Sequence, residues 1–381
     1  MLEPRKDKTV SADVLFFPVA AAFSAVIVPL WMMTLQGWIP IPSPYWHGHE
    51  MLFGYGFAVV SGYLITRVSL VMLSGLFLSW FAARLAALGL IGDNLVASLP
   101  GLIFVGLVVY LIAPPFLRAA KKAENRVFGP LFMAMGACEL IYQLGAIEIF
   151  SGVRFYALLI TVDLFSLLLL LMGGRMIASA MAGHFYRTGQ FLIARVQPRL
   201  ERIAIILMIS MILLDFIPKA APLAGVFALG AAVITIVRIG RWQVWRIINY
   251  PHLWGLILGY TWLALGLALK GFMQIFGNSL SLVEALHGIT IGAIGTLTLV
   301  VMARTRLQRN RQGLEHFEDI GMAALLVSLA ALLRLSASLA GSDYTLSLLW
   351  ASAIAWFFAF SQLLYCLIIN YPKKPSTMDS V

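Results

Sequence analysis

Charge is what this chain has least of: Asp, Glu, Lys and Arg make up 12% of its 381 residues, where a soluble domain carries about 25%. Half of the usual polar coat is missing and 61% of the residues are apolar, so lipid must be the solvent for most of the surface. Acid is scarcer than base, 17 residues against 27. The resulting charge of +10 would suit a nucleic acid if it formed a patch. The basic residues instead lie in short loops between apolar runs, which argues against a nucleic-acid partner. Cysteine is nearly absent. Cys138 and Cys366 both fall inside apolar stretches, which excludes a disulfide framework, a C-x-x-C-H haem attachment and any zinc or iron–sulfur spacing. The start, MLEPRKDKTVSAD, is polar and has no cleavage site before the first long apolar run, so we expect an uncleaved first span.

What the chain has is apolar length. Runs at 14–35, 50–68, 70–91, 94–114, 127–148, 153–178, 200–217, 220–238, 252–275, 280–303, 317–340 and 345–369 each approach the ~20 residues that cross a bilayer. They predict an all-α, polytopic integral membrane bundle of about twelve transmembrane helices. Residues 1–372 form one transmembrane domain, followed by a disordered basic tail at 373–381. The runs at 200–217 and 220–238 are separated only by Pro218-Lys219-Ala220-Ala221-Pro222, where proline disfavours a continuous helix. Residues 179–202 read as the longest cytoplasmic loop, partly an interfacial segment in which Phe185, Tyr186 and Phe191 alternate with basic residues.

Lys and Arg set the orientation. They cluster in the N-terminal segment (Arg5, Lys6, Lys8) and the fourth connection (Arg118, Lys121, Lys122, Arg126). The sixth (Arg187, Arg195, Arg199, Arg202), eighth (Arg238, Arg241, Arg246) and tenth (Arg304, Arg306, Arg309, Arg311) follow, then the tail (Lys373, Lys374). Odd connections such as IPIPSPYWHG, IGDN, FGNSLS and GSD carry none. With twelve spans, every rich segment falls on one side, so both termini are cytoplasmic.

Six histidines are present. His47 and His49 lie in PYWHGHEM at the outer end of the second span, and His287 opens the tenth at the same face. His252 opens the ninth at the inner face, while His184 and His316 fall in basic loops. On a helix, residues i and i+2 point about 200° apart and cannot share one ion, whereas extended or turn geometry lets them. Pro42, Pro44 and Gly48 favour the irregular form, in which His47 and His49 face one metal. Otherwise His49 enters the bundle and His47 stays in the outer loop. Neutral imidazole suits haem iron and copper. The plain alternative is an interfacial belt with Tyr45 and Trp46 at headgroup level.

Arg84, Glu139, Asp163, Lys270, Glu284 and Arg334 fall at mid-depth or nearer the outside, where an unpaired charge costs about 2.5–3.5 kcal/mol on insertion scales. Each should therefore face inward and have a partner. Arg84 and Arg334 either pair with Asp163 and Glu139, or hold anionic groups such as haem propionates. With His47, His49 and His287 they outline a site in the outer leaflet. Gly54, Gly56 and Gly62 follow the first histidine motif, and Gly288, Gly292 and Gly295 follow His287. Tight helix packing explains such spacing better than room for a macrocycle.

The segment PYWHGHEMLFGYGFAVVSGYLIT resembles the signature of the NnrS family, as do GGRMI at 173–177 and LHGITIGAIGTLTLVVMAR at 286–304. The resemblance covers essentially the whole chain. It implies a bacterial inner-membrane protein of nitrogen-oxide metabolism, associated with haem and copper. His47 and His49 match the family's paired histidines, Glu50 the adjacent acid, His287 the histidine of the tenth span and Arg175 the arginine of the Gly-Gly-Arg motif. Family members often carry further histidines where Ile257, Arg309 and Gln143 stand here, and ASAMAGHFYR replaces a Pro-x-Phe-Thr-Arg-Asn run. An inner-face metal then depends on His252, one turn before Ile257.

The leading expectation is a protein that binds haem b, with copper as a second candidate metal, and that binds, processes or senses nitric oxide. His49 and His287 would be axial or near-axial ligands, His47 a ligand to copper or a group behind the ligands, and Arg84 or Arg334 the propionate anchors. One histidine ligand leaves a position for NO and two favour electron transfer; the sequence leaves both open. It names no redox partner, so enzymatic turnover stays open too. The second expectation is a transporter of a metal, haem or small anion using the same histidines, although no repeat pair or matched broken helices support it. The third is a non-enzymatic partner that assembles a respiratory complex. A haem–copper oxidase fold is excluded because no histidine lies at the centre of a span.

Overall fold

The computed structural model describes residues 9–40, 43–89, 92, 94–118, 125–277, 281–310 and 317–370. His316 and the basic tail at 373–381 lie outside these residues. The described chain is helical almost throughout. The one sheet among the described residues is a two-residue antiparallel ladder that sets Thr9 against Ser69 and Val10 against Val68. With Ala12 N–H donating to the Ile65 carbonyl at 2.9 Å, this ladder ties the N-terminal segment to the turn after the second long helix.

Among the described residues, eight helices are long and apolar enough to cross a membrane: Asp13–Leu35, Leu95–Arg118, Val153–Arg187, Pro218–Arg241, Pro251–Phe276, Leu282–Arg309, Glu318–Leu339 and Asp343–Ile369. The protein is an all-α membrane protein. Four further helical stretches lie among these, at 46–64, Leu70–Ala86, Phe128–Ala146 and Pro198–Asp215. All four carry polar side chains inward: His49 and Glu50, Arg84, Glu139 and Gln143, and Glu201 and Asp215, respectively, are buried. Exposed side chains along the long helices are mostly Leu, Ile, Val and Phe, as a lipid-facing surface requires.

Consecutive helices pack as neighbours through most of the chain, and Asp13–Leu35 packs on the last helix, closing the bundle. Val153–Arg187 and Leu282–Arg309 are the most enclosed of the eight. Close approach is made by glycine where backbone meets backbone. A Cβ on Gly266 would stand 2.7 Å from the Ile289 nitrogen, and one on Gly271 would stand 2.6 Å from the Gly225 carbonyl. Gly56, Gly292 and Gly295 abut the rings of Phe165, Trp262 and Trp356. These glycines serve packing.

The helix boundaries correct three sequence expectations. The second long helix begins at Trp46 and runs to Leu64, so the WHGH tetrapeptide is helical rather than irregular. The helix from Val153 continues to Arg187, so residues 179–187 are not loop and the connection shortens to 188–197. His184 is accordingly buried on a helix, its ring 4.1 Å from that of Tyr250, instead of lying in a solvated loop. The separation at Pro218 holds, as a short 3-10 turn at Pro218–Ala220.

Three helices contain π-helical turns, at Glu50–Gly56, Leu169–Gly173 and Gly288–Gly295. A π turn displaces carbonyls from the α ladder and is frequent at functional sites. In the first two, displaced carbonyls find outside donors. Gly54 O accepts from Trp80 Nε1 at 2.8 Å, and Leu170 O accepts from both Arg238 Nη1 at 3.1 Å and Tyr260 Oη at 2.9 Å. Two of the three turns directly follow the histidine motifs.

Candidate functional site

Because WHGH is helical, His47 and His49 project to different faces and enter different surroundings. His49 is buried in a network of charged groups. Its Nδ1 lies 3.0 Å from Glu50 Oε1 and its Nε2 2.9 Å from Glu139 Oε2. Arg84 Nη1 lies 2.9 Å from Glu50 Oε2, and Gln143 Nε2 donates to Glu139 Oε1 at 2.8 Å. The Tyr142 ring stacks on the imidazole at 4.3 Å. Both ring nitrogens of His49 thus face carboxylates, and Arg84 faces Glu50 rather than Asp163. Gly54 supplies the space for the Arg84 guanidinium, where a Cβ would collide with it.

His47 lies on the wall of a cavity of about 420 Å³, within the range of small-molecule sites. His287, Arg334, Trp31, Tyr55 and Trp356 also line it. The Trp31 indole stacks on His47 with centroids 5.3 Å apart and planes within 10°, which fixes the imidazole plane. His47 Nδ1 is buried and has no hydrogen-bond partner. His287 is held differently: its Nδ1 donates to the Val283 carbonyl at 2.9 Å, so the proton sits on Nδ1 and Nε2 keeps the lone pair. Arg334 donates from Nη1 to Ser338 Oγ at 2.9 Å. The structure therefore brings His47, His287 and Arg334 to one apolar cavity, and sets His49 and Arg84 in the neighbouring charged network.

The chain matches the family profile described as NnrS protein over residues 15–369, nearly its whole length. It belongs to the NnrS family. No curated protein matches the chain. Arg175, the arginine of the Gly-Gly-Arg motif, bonds Glu201 through Nη2 at 2.6 Å and Asn125 Oδ1 at 2.6 Å, and so ties Val153–Arg187 to Pro198–Asp215. His252 lies at the opposite end of the bundle from His287. Its ring is 6.4 Å from that of His184, a proximity that the sequence placement of His184 in a loop concealed.

Two imidazoles and a guanidinium on an apolar wall are donor types that a haem can use. An imidazole with its tautomer fixed by a carbonyl is a common arrangement for a metal-binding histidine, the unpartnered Nδ1 of His47 marks a polar atom without a protein partner, and the walls are apolar and aromatic. No group of three His, Cys, Asp or Glu gathers among the described residues.

Two buried clusters went unread in the sequence. Lys270 Nζ bonds Asp215 Oδ2 at 2.7 Å and also Asp163 Oδ1, with Gln274 Nε2 on Asp215 Oδ1 at 2.5 Å. Asp163 is thus paired with Lys270, not with an arginine. Asp215 is the last residue of its helix, just before the turn at Pro218. Arg238, expected in the eighth basic loop, is buried inside the bundle and bonds Tyr260 Oη at 2.8 Å, with the Trp242 ring 5.5 Å from its guanidinium carbon.

Proposed function

We propose that this protein binds haem b in the cavity shared by His47, His287 and Arg334, and serves nitric-oxide metabolism in the bacterial inner membrane. The observation that carries this reading is the convergence of two imidazoles and one guanidinium on one apolar cavity, the two histidines each preceding a π turn on its own helix. His287 is the ligand candidate, with Nδ1 anchored on Val283 and Nε2 left for iron. His47, held flat against Trp31, is a second ligand or the group that lines the open side. Arg334 is placed to hold a propionate, since guanidinium binds carboxylate bidentately. Bound haem supplies an iron that coordinates NO. The chain's contribution is to orient that group, exclude water from it and fix the imidazole tautomer.

Twelve crossings with both ends in the cytoplasm complete the proposal, with the lipid bilayer as solvent. The alternating basic segments support it, as do the four shorter helical stretches that bring the eight long apolar ones to twelve. The buried Lys270–Asp163–Asp215 cluster favours a second reading, transport of a metal, haem or small anion, because intramembrane ionisable groups mark ion or proton paths.

The deciding experiment is the reduced-minus-oxidised visible spectrum of detergent-purified protein expressed with ample haem. A stoichiometric Soret and α band, lost in His287→Ala and weakened in His47→Ala, supports the haem reading, and NO titration then tests ligand binding. A colourless, monodisperse wild-type protein overturns it and shifts the weight to transport, tested by substrate uptake into proteoliposomes.

A further inference from the structure

A second cavity, of about 660 Å³, opens at the end of the bundle opposite His287. The two ends of Leu282–Arg309 mark the separation: His287 and Arg304 are ~25 Å apart at 1.5 Å per helical residue. This cavity differs in chemistry from the histidine site. Its walls carry Arg187, Arg304 and Arg309, with the hydroxyls of Thr66, Ser179 and Thr305. Among its described lining residues there is no Asp or Glu. Arg309 already faces Asp13 and donates to Ser11 Oγ at 2.6 Å. Arg304 is steadied by a bond from Nη1 to the His252 carbonyl at 3.1 Å.

We propose that this cavity binds a phosphate-bearing anion, held by Arg187 and Arg304 and by the surrounding hydroxyls. The donors come from three separate segments: Thr66 in the connection after the helix at 46–64, Ser179 to Arg187, and Arg304 with Thr305. Such convergence suits an acceptor that offers oxygens in several directions, as a tetrahedral phosphate does. Guanidinium is the side chain best matched to that geometry. The volume exceeds one phosphate group, and Leu64, Met176 and Val301 form an apolar part of the wall, so the site accommodates an apolar extension as well. A free phosphate compound and the headgroup of an anionic phospholipid share this chemistry. The site is independent of haem binding.

The test uses the full-length protein purified in detergent, wild type beside Arg187→Gln, Arg304→Gln and the control Arg241→Gln, whose side chain lies outside the cavity. Melting is followed while inorganic phosphate is titrated at constant ionic strength. In parallel, native mass spectrometry counts lipid adducts after reconstitution with phosphatidylglycerol or phosphatidylcholine. A phosphate-dependent rise in melting temperature, about tenfold weaker in apparent affinity in each cavity variant and unchanged in Arg241→Gln, establishes a site for free phosphate compounds. No response to phosphate, with phosphatidylglycerol adducts retained by wild type and Arg241→Gln but lost from the cavity variants, establishes a lipid headgroup site. Neither response overturns the proposal. Arg187 is exposed on the last turn of its helix, so Arg187→Gln carries the test should Arg304→Gln fail to fold.

Discussion

His49 and His47 are two residues apart and do different work. His49 sits between Glu50 and Glu139, with Arg84 closing the cluster, and this arrangement reads as structural polarity that locks three helices together. His47 and His287 have a ring nitrogen not committed to a carboxylate. We therefore expect His287→Ala to abolish haem retention, and His49→Gln to leave the spectrum in place while lowering the melting temperature. Equal loss of haem in both variants would contradict the division of labour. Lys270 offers a second test at this scale. Removing one partner of a buried ion cluster costs about 3–5 kcal/mol, because the carboxylates left behind lie in low dielectric with no water to solvate them. Lys270→Met should lower the unfolding midpoint sharply, and adding Asp163→Asn with Asp215→Asn should recover much of that loss. A triple variant no more stable than Lys270→Met would show that the cluster is not held by charge balance.

Helix–helix contacts in a membrane gain little from hydrophobicity and depend on close backbone approach. Pro251–Phe276 and Leu282–Arg309 meet at Gly266 and Gly288, where a Cβ on Gly266 reaches the backbone of Ile289. Gly266→Val should push these helices apart, costing about 1–3 kcal/mol, and should also weaken haem binding, since Leu282–Arg309 carries His287. Gly75, on Leu70–Ala86, has nothing within 4 Å of an added Cβ. Gly75→Ala should be neutral or stabilising by up to about 1 kcal/mol. Melting of both variants in one detergent checks the pair. The π turns belong to this scale too. Their period is set by neighbours able to satisfy displaced carbonyls, as Trp80 does for Gly54 and as Arg238 and Tyr260 do for Leu170. No local residue pattern announces such a turn.

At the scale of the whole molecule, the proposed orientation has a direct check. In a background with Cys138 and Cys366 replaced by alanine, Tyr344→Cys should react with a membrane-impermeant maleimide from the periplasmic side. Gln190→Cys should react only after lysis; both positions are exposed. Reversed reactivity would overturn the assignment of both termini to the cytoplasm. The sequence by itself determined that this is a helical membrane protein, because a bilayer tolerates only satisfied backbone and apolar surface, and those demands are written into composition and run length. It also singled out His47, His49, His287, Arg84 and Arg334, because polar groups are conspicuous against so apolar a chain. Only the tertiary structure decided their partners. Whether an imidazole faces a carboxylate, an indole or an open cavity depends on which helices lie across from it. The face each side chain presents is set by where its helix starts and by π turns stabilised from outside the helix, and neither is encoded in the order of nearby residues.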